Sequence, residues 1–165
     1  MKLLIQKFKN ILLRKDSLQW QIYKYIFFGG FAVLVDQIVY YGLGLNIIPI
    51  FNESDPIVEY LGIGLTPVSE AVQSANLWIV KTVCWLLANT TAYILNRIFV
   101  FSYGKHNNFV ETFLFYIFAL PQFIFIGLTD LLIQYGWEVT YANYTMVFLA
   151  AFINFVVRKF IIFKG

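Results

Sequence analysis

The sequence predicts an all-α integral membrane protein with four transmembrane helices. Three observations lead there. The chain has 165 residues, of which 60% are hydrophobic and only 13% charged, whereas soluble domains average about half apolar and about a quarter charged. Four stretches are long and apolar enough to cross a bilayer, which takes about 20 residues at 1.5 Å rise per residue. Lysines and arginines cluster at alternate connections between those stretches. Disorder is excluded by the low charge and by 18 Phe and 11 Tyr, the reverse of a disordered composition. In lipid the spans must be helical, because no water satisfies the backbone. The alternating pattern of a membrane β-barrel is absent.

Residues 1–21 read as a cytoplasmic interfacial helix. Leu4, Ile5, Phe8, Ile11 and Leu12 share one helical face, with Lys2, Lys7, Lys9 and Arg14 mostly off it, the pattern of a helix lying on an anionic leaflet. A frayed basic tail that only sets topology fits equally well. No small-residue cleavage site follows a short apolar core, so this is not read as a signal peptide.

Residues 22–165 form the four-helix transmembrane domain, with spans near 23–45, 76–101, 109–133 and 141–163. Gly29 and Gly30 in the first span are suited to a close helix crossing. Pro121 interrupts the third span and frees a carbonyl beside Gln122. The 46–75 connection contains Pro49, Pro56, Pro67, Gly62 and Gly64, which break any continuous helix. It reads as a tether, a lid or a docking surface, and its 60–65 stretch is apolar enough to dip into the interface.

Orientation follows from charge. Lys2 to Lys24 precede or open the first span, Arg97 and Lys105 close the second, and Arg158, Lys159 and Lys164 close the fourth. The 46–75 and 134–140 connections carry no Lys or Arg, and hold Glu53, Asp55, Glu59, Glu70 and Glu138. The positive-inside rule places both termini in the cytoplasm of a multi-pass cell-membrane protein. An even number of spans agrees.

The ends of the second and fourth spans resemble each other. Residues 92–101 (AYILNRIFVF) lie over 154–163 (NFVVRKFIIF), each with an aromatic, a polar-basic or basic pair and a terminal Phe. Both segments run outward to inward, which makes the halves two tandem parallel two-helix hairpins. Arg97 lies roughly 6 Å inside the apolar end, with Arg158 and Lys159 at a similar level. Two readings fit. These side chains snorkel to the interface, or Asn96, Arg97, Arg158 and Lys159, with Lys24, form a cationic site for a lipid phosphate.

A second polar layer lies at mid-bilayer. Asp36 is roughly 18 Å into the first span, and Asn89, Thr90, Gln122 and Asn154 come to comparable depth. Such groups face a bundle interior. They either hold the helices together through hydrogen bonds or line a polar path for a sugar. Lys81 and Asp130, near the outer span ends, are expected to form an ion pair that acts as a clasp. One Cys and one His make neither an internal disulfide nor a usual zinc site. No nucleophile and base pair, metal cluster or phosphate-cradling loop can be assembled. No enzyme, metal, cofactor or nucleic-acid partner is predicted.

The entry segment Lys24-Tyr25-Ile26-Phe27-Phe28-Gly29-Gly30 resembles that of the GtrA-like small membrane proteins. So do the two span ends, at Tyr93, Asn96, Arg97, Phe99 and Phe101, and at Asn154, Phe155, Arg158, Lys159, Phe160 and Phe163. The resemblance covers the chain except residues 1–20 and the long outer connection. It departs at Ala92, where Asn is usual, and at Arg158-Lys159, where Asn-Arg is usual. It implies translocation of a polyprenyl-phosphate-linked sugar from the inner to the outer leaflet for cell-envelope polysaccharide or teichoic-acid glycosylation. A separate membrane glycosyltransferase then consumes the sugar. Four spans enclose little room, so a homo-oligomer or a complex with that enzyme is expected. Two alternatives stand beside it. One is a non-transporting partner subunit of the glycosyltransferase. The other is a small proton-coupled multidrug exporter using Asp36.

Overall fold

The structure, a computed structural model, describes residues 18–100 and 108–157. All its regular elements are helical. Helix α1 is Leu18–Asn46, the short α2 is Pro56–Leu61, and α3 is Glu70–Leu95, continued by a π-helical turn at Asn96–Val100. Helix α4, Asn108–Ala119, meets α5, Phe123–Gln134, through a 3₁₀ turn at Leu120–Gln122, and α6 is Val139–Val157. Among the described residues, three segments are long and apolar enough to cross a membrane: Ile22–Asn46, Glu70–Val100 and Phe109–Gln134. The described part of α6 has 19 residues, roughly 28 Å of helix.

The distribution of side chains is that of a multi-pass membrane protein. Phe27, Ile38, Phe118 and Phe148 are 67%, 72%, 79% and 75% exposed, while Lys24, Asn89, Asn96, Asp130 and Asn143 are buried. Water would reverse that arrangement. A hydrocarbon solvent selects it, because it accepts apolar surface and leaves polar groups to find one another.

The helices form two compact units. Of the described residues, one unit comprises Leu18–Tyr40 with those of 82–119, and the other Tyr41–Lys81 with Leu120–Val157. In the second unit α5 packs on α6.

Four expectations change. Leu18–Asn46 is one helix, so residues 18–21 belong to the first spanning helix instead of to a separate interfacial one; residues 1–17 lie outside the described residues. Helix α3 begins at Glu70, before the apolar stretch starts, and an acidic residue in a first turn is favoured by the helix dipole. Pro56 does not break a helix but opens α2, with Asp55 as N-cap accepting from the Ile57 amide at 3.1 Å; a missing N–H costs nothing at a first turn. Among the described residues Gly29 and Gly30 mark no close crossing, since an added Cβ at either meets no described atom within 4 Å.

The close approach occurs instead at Gly44. A Cβ there would lie 2.7 Å from the Phe51 ring and 2.8 Å from the Ile50 side chain. Ile50 and Phe51 are fully buried, and Phe51 stacks on Tyr41 at 5.6 Å between ring centroids. The 47–69 connection is therefore packed onto its own unit, not left as a tether. Gln73 and Asn76 tie it further: Gln73 donates to the Ile50 carbonyl at 2.8 Å and Asn76 to the Pro49 carbonyl at 2.8 Å.

Pro121 acts as expected. Proline removes a helical donor, and the chain tightens into the 3₁₀ turn; just before it, the Ala119 carbonyl accepts from the Trp85 indole at 3.2 Å.

Candidate functional site

The π-helical turn Asn96–Val100 collects three of the predicted phosphate-site residues within the first unit. A π turn inserts an extra residue into a helical register and often marks a functional site. Near a helix end the last carbonyls lack intrahelical partners, and cations are favoured there. Lys24 of α1 meets this condition: its side-chain nitrogen donates to the Phe99 carbonyl at 3.3 Å, with the residue 5% exposed. Four positions on, hence on the same face of α1, Phe28 stacks on the Phe99 ring at 4.9 Å. Lys24 and Phe28 together grip one residue of the turn.

Asn96 is buried, and its Oδ1 has no hydrogen-bond partner among the described residues. Arg97 is half-buried. Its Nη1 donates to the Tyr93 hydroxyl at 2.8 Å, and its Cζ lies 5.8 Å from the Tyr93 ring centroid. The Tyr93 hydroxyl also accepts from Thr112 of α4 at 2.8 Å. A guanidinium is a planar fork whose geometry suits a phosphate. Arg158 and Lys159 lie outside the described residues, as do Lys105 and His106.

The predicted mid-bilayer layer divides between the units. In the first, Asp36 is half-buried and accepts from Gln37 at 2.8 Å. Asn89 donates to the Trp85 carbonyl one turn back at 2.8 Å. The Thr90 hydroxyl donates to the Leu86 carbonyl at 2.6 Å and meets the Tyr116 hydroxyl at 2.6 Å. With the threonine proton committed to Leu86, Tyr116 is the donor, and this contact joins α3 to α4. Gln122, in the second unit, is half-buried in the 3₁₀ turn. Asn154 falls on α6, and its side chain lies outside the description.

Lys81 and Asp130, expected as an ion pair, have separate partners. The Lys81 nitrogen donates to Asn143 Oδ1. Asp130 Oδ2 accepts from the Ser74 hydroxyl at 2.9 Å and from the Trp78 indole at 3.2 Å. Both residues are buried clasps between helices of the second unit, as a structural role requires, but through neutral partners. Sequence reasoning missed Asn143, which lies at the start of the fourth span, read as beginning near 141. It also missed Asp55, whose Asp-Pro dipeptide is a helix-start signal. Asp55 is fully buried and accepts from the Thr140 amide at 2.9 Å and hydroxyl at 2.6 Å.

Among the described residues no group of His, Cys, Asp and Glu could hold a metal ion. The arrangement at the π turn is suited to binding: a buried amino group, an open amide oxygen and a guanidinium fixed on an aromatic ring. No family model, curated protein or solved structure matches the chain.

Proposed function

We propose that this protein carries a polyprenyl-phosphate-linked monosaccharide from the inner to the outer leaflet of the cell membrane, where a membrane glycosyltransferase consumes it. Both termini are cytoplasmic in this reading, and the chain forms two parallel helix hairpins. Lys24, Asn96 and Arg97, joined by Arg158 and Lys159, hold the lipid phosphate near the inner surface. Asp36, Asn89 and Thr90 of the first unit offer hydrogen bonds to the sugar in transit, while the prenyl chain stays in lipid. No nucleotide-binding motif occurs in the sequence, so consumption of the sugar outside sets the direction.

The observation that carries the reading is Lys24 buried against the same π turn that bears Asn96 and Arg97. Desolvating a cation costs several kcal/mol, and intramembrane ionisable residues mark functional paths as a rule.

The test is translocation of a polyprenyl-phosphate sugar by the full chain in liposomes. Arg97→Ala combined with Arg158→Ala is expected to abolish it. Unchanged transport in that variant rejects the phosphate-site assignment.

A further inference from the structure

The 47–69 connection and the turn between α5 and α6 expose a set of aromatic and aliphatic side chains that the translocation reading does not use. Helix α2 has two faces. Asp55 and Val58 are buried on one side, whereas Tyr60 is 86% exposed and Leu61 and Ile63 are also exposed. Gly62, with φ 62°, ends α2 in a Schellman turn: its amide donates to the Glu59 carbonyl and that of Ile63 to Val58. Gly136, with φ 88°, ends α5 in the same way. There Tyr135 is 82% exposed, and Trp137 is exposed beside it.

These two turns belong to one unit, and the Asp55 to Thr140 hydrogen bonds tie the first connection to the start of α6. They also lie two crossings apart in the chain, which returns both to one side of the bilayer. Each turn joins helices long or apolar enough to lie in a membrane, so a lipid surface is already at hand. Tyr and Trp are the residues that sit at headgroup level. The connections carry Glu53, Glu59 and Glu138 and no Lys or Arg, so attraction to anionic lipid plays no part.

We infer that Tyr60, Leu61 and Ile63, with Tyr135 and Trp137, form an anchor seated in the headgroup-to-acyl boundary of the bilayer. The occupant of this surface is a zwitterionic lipid interface, and the inference stands whether or not the chain moves a lipid-linked sugar.

Nitroxide labels at Tyr60→Cys, Ile63→Cys and Glu53→Cys, each in a Cys84→Ala background, test it in phosphatidylcholine vesicles. Collision with oxygen is expected to exceed collision with a water-soluble nickel chelate several-fold at positions 60 and 63, with the reverse at 53. Labels at 60 and 63 as open to nickel as the label at 53 overturn the anchor. Shielding from both reagents also overturns it, since a protein partner would then cover the patch. Replacing part of the phosphatidylcholine by phosphatidylglycerol is expected to leave the ratio unchanged; a ratio that rises with anionic lipid rejects the charge-independent mode. Should Tyr60→Cys fail to fold, Ile63→Cys and Trp137→Cys give the same reading.

Discussion

Asp55 and Thr140 are joined twice across 85 positions of sequence, once through the Thr140 backbone amide and once through its hydroxyl. The same carboxylate caps α2. One buried side chain therefore fixes a long connection, starts a helix and secures the beginning of another.

Asp55→Ala should consequently be among the more damaging single changes. It strands a buried amide and hydroxyl and removes an N-cap, each worth about 1 kcal/mol or more. A loss of about 3 kcal/mol is expected, read by thermal unfolding in detergent micelles. Asp55→Asn keeps an acceptor and should lose less. Equal stability of Asp55→Ala and the parent chain would mean the latch carries no load.

Glycines in α1 should separate by position. Gly44→Ala forces a methyl group into Ile50 and Phe51, and overpacking of this kind costs about 1–3 kcal/mol. Gly29→Ala and Gly30→Ala meet no described atom within 4 Å and should be neutral or slightly stabilising through helix propensity. Unfolding midpoints of the three variants give the comparison, and a reversed order would reject this seating of the connection.

Lys24 separates binding from folding. Lys24→Met keeps the apolar stem and loses the donor to the Phe99 carbonyl, a bond from a charged group worth about 1.5–3 kcal/mol, so its melting temperature should fall by a few degrees while the fold is kept. Its rate of lipid-linked sugar translocation should fall at least about tenfold, the equivalent of about 1.4 kcal/mol. A variant that transports normally would reduce Lys24 to a packing element.

Trp85→Phe keeps the ring against Tyr116, now 5.7 Å away between centroids, but withdraws the donor from the Ala119 carbonyl. A net hydrogen bond is worth about 1 kcal/mol. A destabilisation of that size is expected in the same unfolding assay, and none if water or a neighbour replaces the indole.

The spanning helices were legible in the sequence because hydrocarbon thickness imposes a minimum apolar length, and the spans Ile22–Asn46 and Phe109–Gln134 fall almost residue for residue on the apolar stretches. Pro121 was legible too, since a missing donor acts locally. The partners of polar residues were not. Lys81 and Asp130 attract each other in any one-dimensional reading, yet Asn143, Ser74 and Trp78 reach them first, and which side chain is nearest depends on helix rotation that spacing leaves open. Gly44 was passed over for Gly29 and Gly30 because a glycine pair looks like a crossing, whereas the need for a missing side chain arises from Ile50 and Phe51 folding back. Arg97 was read correctly as a polar element of a span end, but its fixing by Tyr93 and Thr112 depends on α4 lying beside α3.

The inverted placement of side chains has a consequence for variation. Positions such as Phe27, Ile38, Phe118 and Phe148 need only remain oily, so Leu, Ile, Val and Phe should interchange there with little effect. Asn143 and Asp55 admit almost no substitute. Tolerance in this molecule runs opposite to that of a water-soluble enzyme: its periphery is indifferent to shape, and its few interior polar atoms are where heredity is least free.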